Sequence, residues 1–175
     1  MGLLLKNVEN LYKSKVSLKY FFPLFFLFLS ACSIKNYEFS ESKVITIKTA
    51  KLKFSDLGYL KQSADAVRLE LFVAGKNVQN ISINHLICVD DGCMGKKSFN
   101  EEFLSASYPD EILQNIILGR YIFDAKGVVK TTTGFEQNIV TKNLDIKYRV
   151  TDKEIYFKDK KNRILFKIKD INNGN

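Results

Sequence analysis

The chain is poor in the residues that most chemistry needs. It has one histidine, no tryptophan, three cysteines, two prolines and nine glycines among 175 residues. With His85 alone there is no histidine cluster, no His-Glu-x-x-His and no catalytic triad to assemble. Gly-x-Ser-x-Gly, the Walker loop and Gly-x-Gly-x-x-Gly are also missing. The reading is therefore of a protein that is not an enzyme and that carries no metal site and no cofactor. Basic residues are scattered rather than gathered into an arginine patch. A solvated face is favoured over nucleic-acid binding, and a weak attraction to anionic lipid headgroups is the more plausible electrostatic role. Pro-rich or Gly-rich linkers and internal repeats are absent too.

No apolar run is long enough to span a bilayer, which takes about 20 residues. What is present instead is a short one, Tyr20-Phe21-Phe22-Pro23-Leu24-Phe25-Phe26-Leu27-Phe28, preceded by Lys6, Lys13, Lys15 and Lys19 and followed by Leu29-Ser30-Ala31-Cys32. Basic, apolar and small-residue regions in that order form a secretory signal. Leu29 to Cys32 resembles the lipobox of bacterial lipoproteins. That resemblance implies diacylation of Cys32, cleavage before it, and a membrane anchor through the lipid. The competing readings are an uncleaved anchor or a plain export signal. Ser33 rather than an aspartate follows, which points toward the outer membrane. Residues 1–31 hold four lysines against one glutamate, so the formal charge of +8 falls to about +5 without them.

The remainder, residues 32–175, has the length of one domain. Ser33 to Ser42 is polar and is read as a tether (32–42 counting the anchored cysteine), with a domain over 43–172. Cys88 and Cys93 are then an even pair, as expected in an oxidising compartment. Val89-Asp90-Asp91-Gly92 between them contains a hairpin signal, so a four-residue loop and a disulfide are expected. A metal or redox pair is the rival reading, against which stand the spacing and the lone histidine. Asp90-Asp91 is a turn before it is a calcium ligand.

From Lys43 onward the dominant period is two, the mark of strands with one buried face. Val67, Leu69, Leu71 and Val73 alternate with Arg68, Glu70 and Phe72. Leu144, Ile146, Tyr148 and Val150 alternate with Asp145, Lys147 and Arg149. Ile155 with Phe157, and Ile164 with Phe166 and Ile168, repeat the pattern. Turns are expected at 75–77, 90–92, 126–127, 133–134, 151–153 and 160–162. His85 falls in a segment read as strand. Lysines on the terminal strands are read as edge protection.

The period changes between Ser98 and Gly119. Ser98-Phe99-Asn100-Glu101 fits a capping box with Ser98 as N-cap. Tyr108-Pro109-Asp110-Glu111 opens a second helix with Ile112, Leu113, Ile116 and Ile117 as its stripe, and Gly119 ends it. The expected fold is mainly β with two short helices: a curved antiparallel sheet, or half-barrel, whose apolar face is covered by the mid-sequence helix pair.

The lipobox, the segment Pro109-Asp110-Glu111-Ile112-Leu113 through Leu118-Gly119-Arg120, and the closing strands (Phe135-Glu136-Gln137, Asp145 to Tyr148, Arg163 to Ile168) resemble the LolA/LolB group. The nearer likeness is to the small LolB-like outer-membrane lipoproteins of Campylobacter-type bacteria. It covers roughly residues 60–170. The chain departs from that group in lacking tryptophan and in carrying the Cys88–Cys93 pair. The resemblance implies an outer-membrane lipoprotein facing the periplasm that shelters acyl chains of lipoproteins or lipids during transfer. Its cavity would be lined by Leu69, Leu71, Val73, Ile146, Tyr148, Phe157 and Phe166, with Ile112, Leu113 and Ile116 from the helices. An ordinary filled core uses the same residues. The alternative function is a non-catalytic structural or interaction lipoprotein of the cell envelope.

Overall fold

The computed structural model describes residues 37–90 and 92–171. Cys32 and the signal segment lie outside the described residues. Among the described residues, eleven strands form one antiparallel, unclosed sheet, accompanied by two short α-helices. The strands are β1 (Phe39–Lys48), β2 (Lys53–Gln62), β3 (Val67–Val73), β4 (Lys76–Ile83), β5 (Leu86–Val89), β6 (Gly92–Gly95), β7 (Val128–Thr131), β8 (Gly134–Val140), β9 (Asp145–Thr151), β10 (Glu154–Asp159) and β11 (Ile164–Asp170).

Their spatial order is β6-β5-β4-β3-β2-β1-β11-β10-β9-β8-β7. The chain thus starts in the middle of the sheet, meanders outward to β6, crosses to the opposite rim, and meanders back to close beside β1. The terminal strands β1 and β11 are central, pairing from Lys43 with Asp170 to Lys48 with Leu165. Their lysines therefore do not guard edges. The rims are β6 and β7, each four residues long, and short edge strands are themselves a defence against unwanted pairing. β1 also starts earlier than the alternation suggested: Phe39 to Ser42, within the segment read as tether, pair with Tyr59 to Gln62.

Period two does what it should. Ile45, Ile47, Val67, Leu69, Leu71, Ile81, Ile83, Phe135, Ile139, Ile146, Tyr148, Phe157, Ile164, Phe166 and Ile168 are buried and form one apolar cluster. Register joins them laterally: Ile45 opposes Ile168, Ile47 opposes Phe166, and Phe157 opposes both Phe166 and Tyr148. Gly58 on β2 sits where this face crowds. A Cβ there would come within 2.6 Å of the Ile45 side chain and 2.9 Å of the Glu70 carbonyl oxygen.

The crossing from β6 to β7 holds the helices α1 (Lys96–Phe103) and α2 (Ile112–Ile117) and a single turn over Phe123–Ala125. Helix α1 begins directly where β6 ends. Its N-cap is Gly95, with no side-chain cap, so the Ser98 capping box does not form. Strand β6 delivers the chain straight into helical geometry, and Ser98 is already inside the first turn. Helix α2 is shorter than expected. Pro109 to Glu111 form a turn in which the Ile112 amide donates to the Pro109 carbonyl at 3.0 Å. Gly119 ends it as anticipated, at φ 64°, with the Arg120 amide reaching back to the Asn115 carbonyl at 2.8 Å. His85 lies exposed in the turn between β4 and β5, not in a strand.

Candidate functional site

The disulfide expected from the cysteine pair is present: Cys88 and Cys93 have their sulfurs 2.04 Å apart. The hairpin is tighter than a four-residue loop, because Val89 still pairs with Gly92. The bridge staples the rim of the sheet one residue pair from its tip, and α1 begins three residues beyond Cys93. Asp90 helps to hold the rim, its carboxylate accepting from the Asn80 amide at 3.0 Å.

Nine of the ten cavity candidates are buried in the common cluster: Leu69, Leu71, Ile112, Leu113, Ile116, Ile146, Tyr148, Phe157 and Phe166. Val73 is not among them. It is 47% exposed at the tip of the β3–β4 hairpin, opposite Lys76, where the sheet runs out past the apolar cluster. The candidates surround little empty space. An aromatic chain fills the region instead. Tyr121, Phe135, Tyr148, Phe157 and Phe166 follow one another with ring centroids 4.6, 5.6, 6.0 and 6.1 Å apart, all edge-to-face. Tyr108 joins it at 6.0 Å from Phe157. Such pairs add to what their buried area alone contributes.

Two tyrosine hydroxyls tie the helical segment to the sheet. The Tyr148 hydroxyl donates to the Arg120 carbonyl at 3.0 Å, at the end of α2. Tyr108, before α2, donates to the Asp159 carboxylate at 2.8 Å. Burial pushes both hydroxyls far above the ordinary tyrosine range, and the Asp159 carboxylate adds to this for Tyr108. Asp159 also accepts from the amides of Asp145, Lys161 and Asn162 and from the Asn162 side chain. A third tie is Gln137, fully buried, which accepts from the Ile122 amide and donates to the carbonyls of Ile122 and Lys126. It brackets Phe123, Asp124 and Ala125, three consecutive residues at φ 47°, 51° and 60°. Three consecutive non-glycine residues in the left-handed region are costly, and such a run persists where its surroundings fix it.

Tyr108, Gln137 and Asp159 were not among the expected site residues. The signal for two of them was parity: Gln137 lies two residues from Phe135 and Asp159 two residues from Phe157, so both face inward with the core.

The void lying against α1 measures about 60 Å³. Ile47, Ile81, Phe99, Phe103, Leu113 and Phe166 contribute its apolar wall, and Gln79 borders it. Only Leu113 and Phe166 of the expected lining touch it. The Gln79 Oε1 is buried without a hydrogen-bond partner among the described residues. Phe99 and Phe103 stack at 4.7 Å, and the Lys51 ammonium sits 4.5 Å from the Phe103 ring while pairing with Glu102. A larger groove of about 690 Å³ lies at the surface between the Pro109–Glu111 turn and residues 121–126. None of the expected lining reaches it, and Asp110, Glu111 and Asp124 make it unsuited to an acyl chain.

Among the described residues no helix is long and apolar enough to cross a membrane. The chain matches no protein-family model, and no curated protein or solved structure matches it.

Proposed function

We propose that the protein is a non-catalytic lipoprotein of the cell envelope, anchored through lipid on Cys32 to the outer membrane and facing the periplasm. In this reading its sheet and helices shelter acyl chains in lipoprotein or lipid transfer. The observation that carries it is topological. One face of an unclosed sheet is apolar across its width, and the segment joining the two rims brings Ile112, Leu113, Ile116 and Ile117 into the same cluster. Helices laid over such a face form a cover that can be lifted without breaking a strand pair. The driving force for taking up a chain is burial of its apolar surface, about 25 cal/mol per Å².

The void of about 60 Å³ against α1 and the pocket of about 170 Å³ beside Ile117 and Leu118 are both below the roughly 300–1,000 Å³ of ligand pockets, so the carrier reading requires that the helices open to admit a chain. Opening falls to α1. Its ties to the rest are Lys51 with Glu102, Lys96 with Glu111 and Gln114, the Asn100 side-chain amide donating to the Pro109 carbonyl, and Phe99, which is buried in the apolar cluster. The Lys51–Glu102 pair is exposed and worth at most about 1 kcal/mol. The test is binding of a fluorescent fatty acid to protein lacking residues 1–32. Saturable binding at micromolar concentration is expected, and its absence overturns the carrier reading.

The aromatic chain favours a second reading, in which the core is simply full and the domain supports an envelope complex. On depletion of the protein, blocked lipoprotein delivery identifies the carrier. Normal delivery with loss of a complex identifies the structural lipoprotein.

A further inference from the structure

The side of the sheet opposite the apolar cluster carries an unbalanced row of charge. Lys147 stands directly opposite Lys158 across β9 and β10, and Lys48 directly opposite Lys53 across β1 and β2. Leu165 of β11 pairs with both Lys158 and Lys48, so the five residues form one line across five adjacent strands. The line is about 19 Å long at ordinary strand spacing. All four lysines are exposed. None has an ion-pair partner among the described residues.

Among the described residues, three of the four acids on this face are engaged, and the fourth, Glu136 on β8, stands opposite Arg149, away from the lysine row. Glu154 is held by Arg149, Lys167 and Lys169, and Glu70 by Lys61 and Arg68. Asp145, two residues from Lys147, faces Lys160. Like charges directly opposite one another weaken a strand pair, and here two such pairs lie in one row. Edge protection does not account for them, because these strands are away from both rims.

The same face carries apolar groups. Val44 opposes Leu57 about 13 Å along the strands from the lysine row. Tyr59 meets the Phe72 ring edge-on at 5.4 Å. Val44, Leu57 and Tyr59 are 37%, 49% and 43% exposed. A row of cations beside exposed apolar and aromatic side chains is complementary to a bilayer surface, where phosphates meet the acyl boundary.

We propose that this outer face of the sheet lies on a bilayer carrying anionic headgroups, with Lys48, Lys53, Lys147 and Lys158 on the lipid phosphates and Val44, Leu57 and Tyr59 at the acyl boundary. The proposal does not rest on the acyl-chain reading, since it uses the opposite side of the sheet.

The test is lysine acetylation, read by mass spectrometry, on the full chain held on vesicles of equal parts phosphatidylglycerol and phosphatidylcholine or of phosphatidylcholine alone. The N-terminal segment is the same in both arms. Labelling of the four lysines is expected to fall about fivefold on the anionic vesicles, and that of Lys97 on α1 to stay level. Protection is expected to vanish at about 1 M salt, where the screening length is about 3 Å. A K48E/K53E variant, its fold checked by circular dichroism, should lose the protection at Lys147 and Lys158. Equal labelling on the two kinds of vesicle overturns the proposal. So does protection that survives high salt, or protection given by soluble polyglutamate and not by vesicles, which would make the occupant an acidic polypeptide.

Discussion

The Tyr108 hydroxyl and the Asp159 carboxylate meet at 2.8 Å in a site closed to solvent, 51 residues apart in the chain. The contact fixes the turn before α2 to the end of β10. Tyr108→Phe removes one donor from a buried carboxylate that keeps its amide donors. A loss of about 1.5–3 kcal/mol is expected, the range for hydrogen bonds to charged groups. Asp159→Ala should cost more, because the amides of Lys161 and Asn162 and the Tyr108 hydroxyl lose their acceptor together. Urea denaturation measures both. Hydrogen exchange on Tyr108→Phe should show faster exchange between Leu104 and Ile112, with the amides of β1 and β11 little changed.

How far this arrangement was legible depends on the interaction concerned. The buried faces of β3, β9, β10 and β11 follow from alternation alone, since Leu69, Ile146, Phe157 and Phe166 each recur at spacing two. Strand β2 is masked in sequence because Asp56 and Gly58 occupy inward positions where apolar side chains would announce it. The Ser98 cap failed because the direction of chain entry decides a cap, and β6 sets that direction. The cavity residues were recognised as inward-facing, but side-chain type does not reveal whether rings interlock. Phe135, Tyr148 and Phe157 do, leaving the small void against α1. The lysine row was invisible, since β1 and β11 come together only through long-range pairing.

The Cys88–Cys93 bridge closes a very short loop, so its effect on the unfolded chain is modest, about 2 kcal/mol in the chain-entropy model. Its larger effect is local. Replacing both cysteines by serine should lower the urea midpoint slightly and leave the slope of the transition unchanged. Amides of β5, β6 and α1 should exchange faster while those of β9 to β11 do not. Uniform acceleration over the whole sheet would show that the rim is not an independent unit.

Gly58 is required by space rather than by backbone conformation. Gly58→Ala drives a methyl toward the Ile45 side chain and the Glu70 carbonyl oxygen, and the latter belongs to the paired strand and cannot turn aside. Destabilisation of about 1–3 kcal/mol is expected, as for other overpacked cores. Gly95→Ala is the control. Its Cβ would meet nothing closer than the Ser98 hydroxyl oxygen at 4.0 Å, so no steric cost is added, and thermal melts should show only the loss of about 0.5–1 kcal/mol that alanine brings at an N-cap.

Glu154 gathers three cations on the outer face. Burial alone would raise its carboxyl, but hydrogen bonds from Lys169 and Arg149, with the added charge of Lys167 and Lys169, outweigh this and hold it below the usual range. A carboxyl lowered on folding contributes stability that is complete above its unfolded value, about 4.3, and is lost as the pH falls through the folded value. Glu154→Gln should therefore be less stable than the parent at pH 7, by at most about 1 kcal/mol for so accessible a cluster. The gap should narrow below about pH 4 and close in stronger acid, because the parent carboxyl is then neutral as well. A difference independent of pH would assign the effect to packing of the side chain and not to its charge.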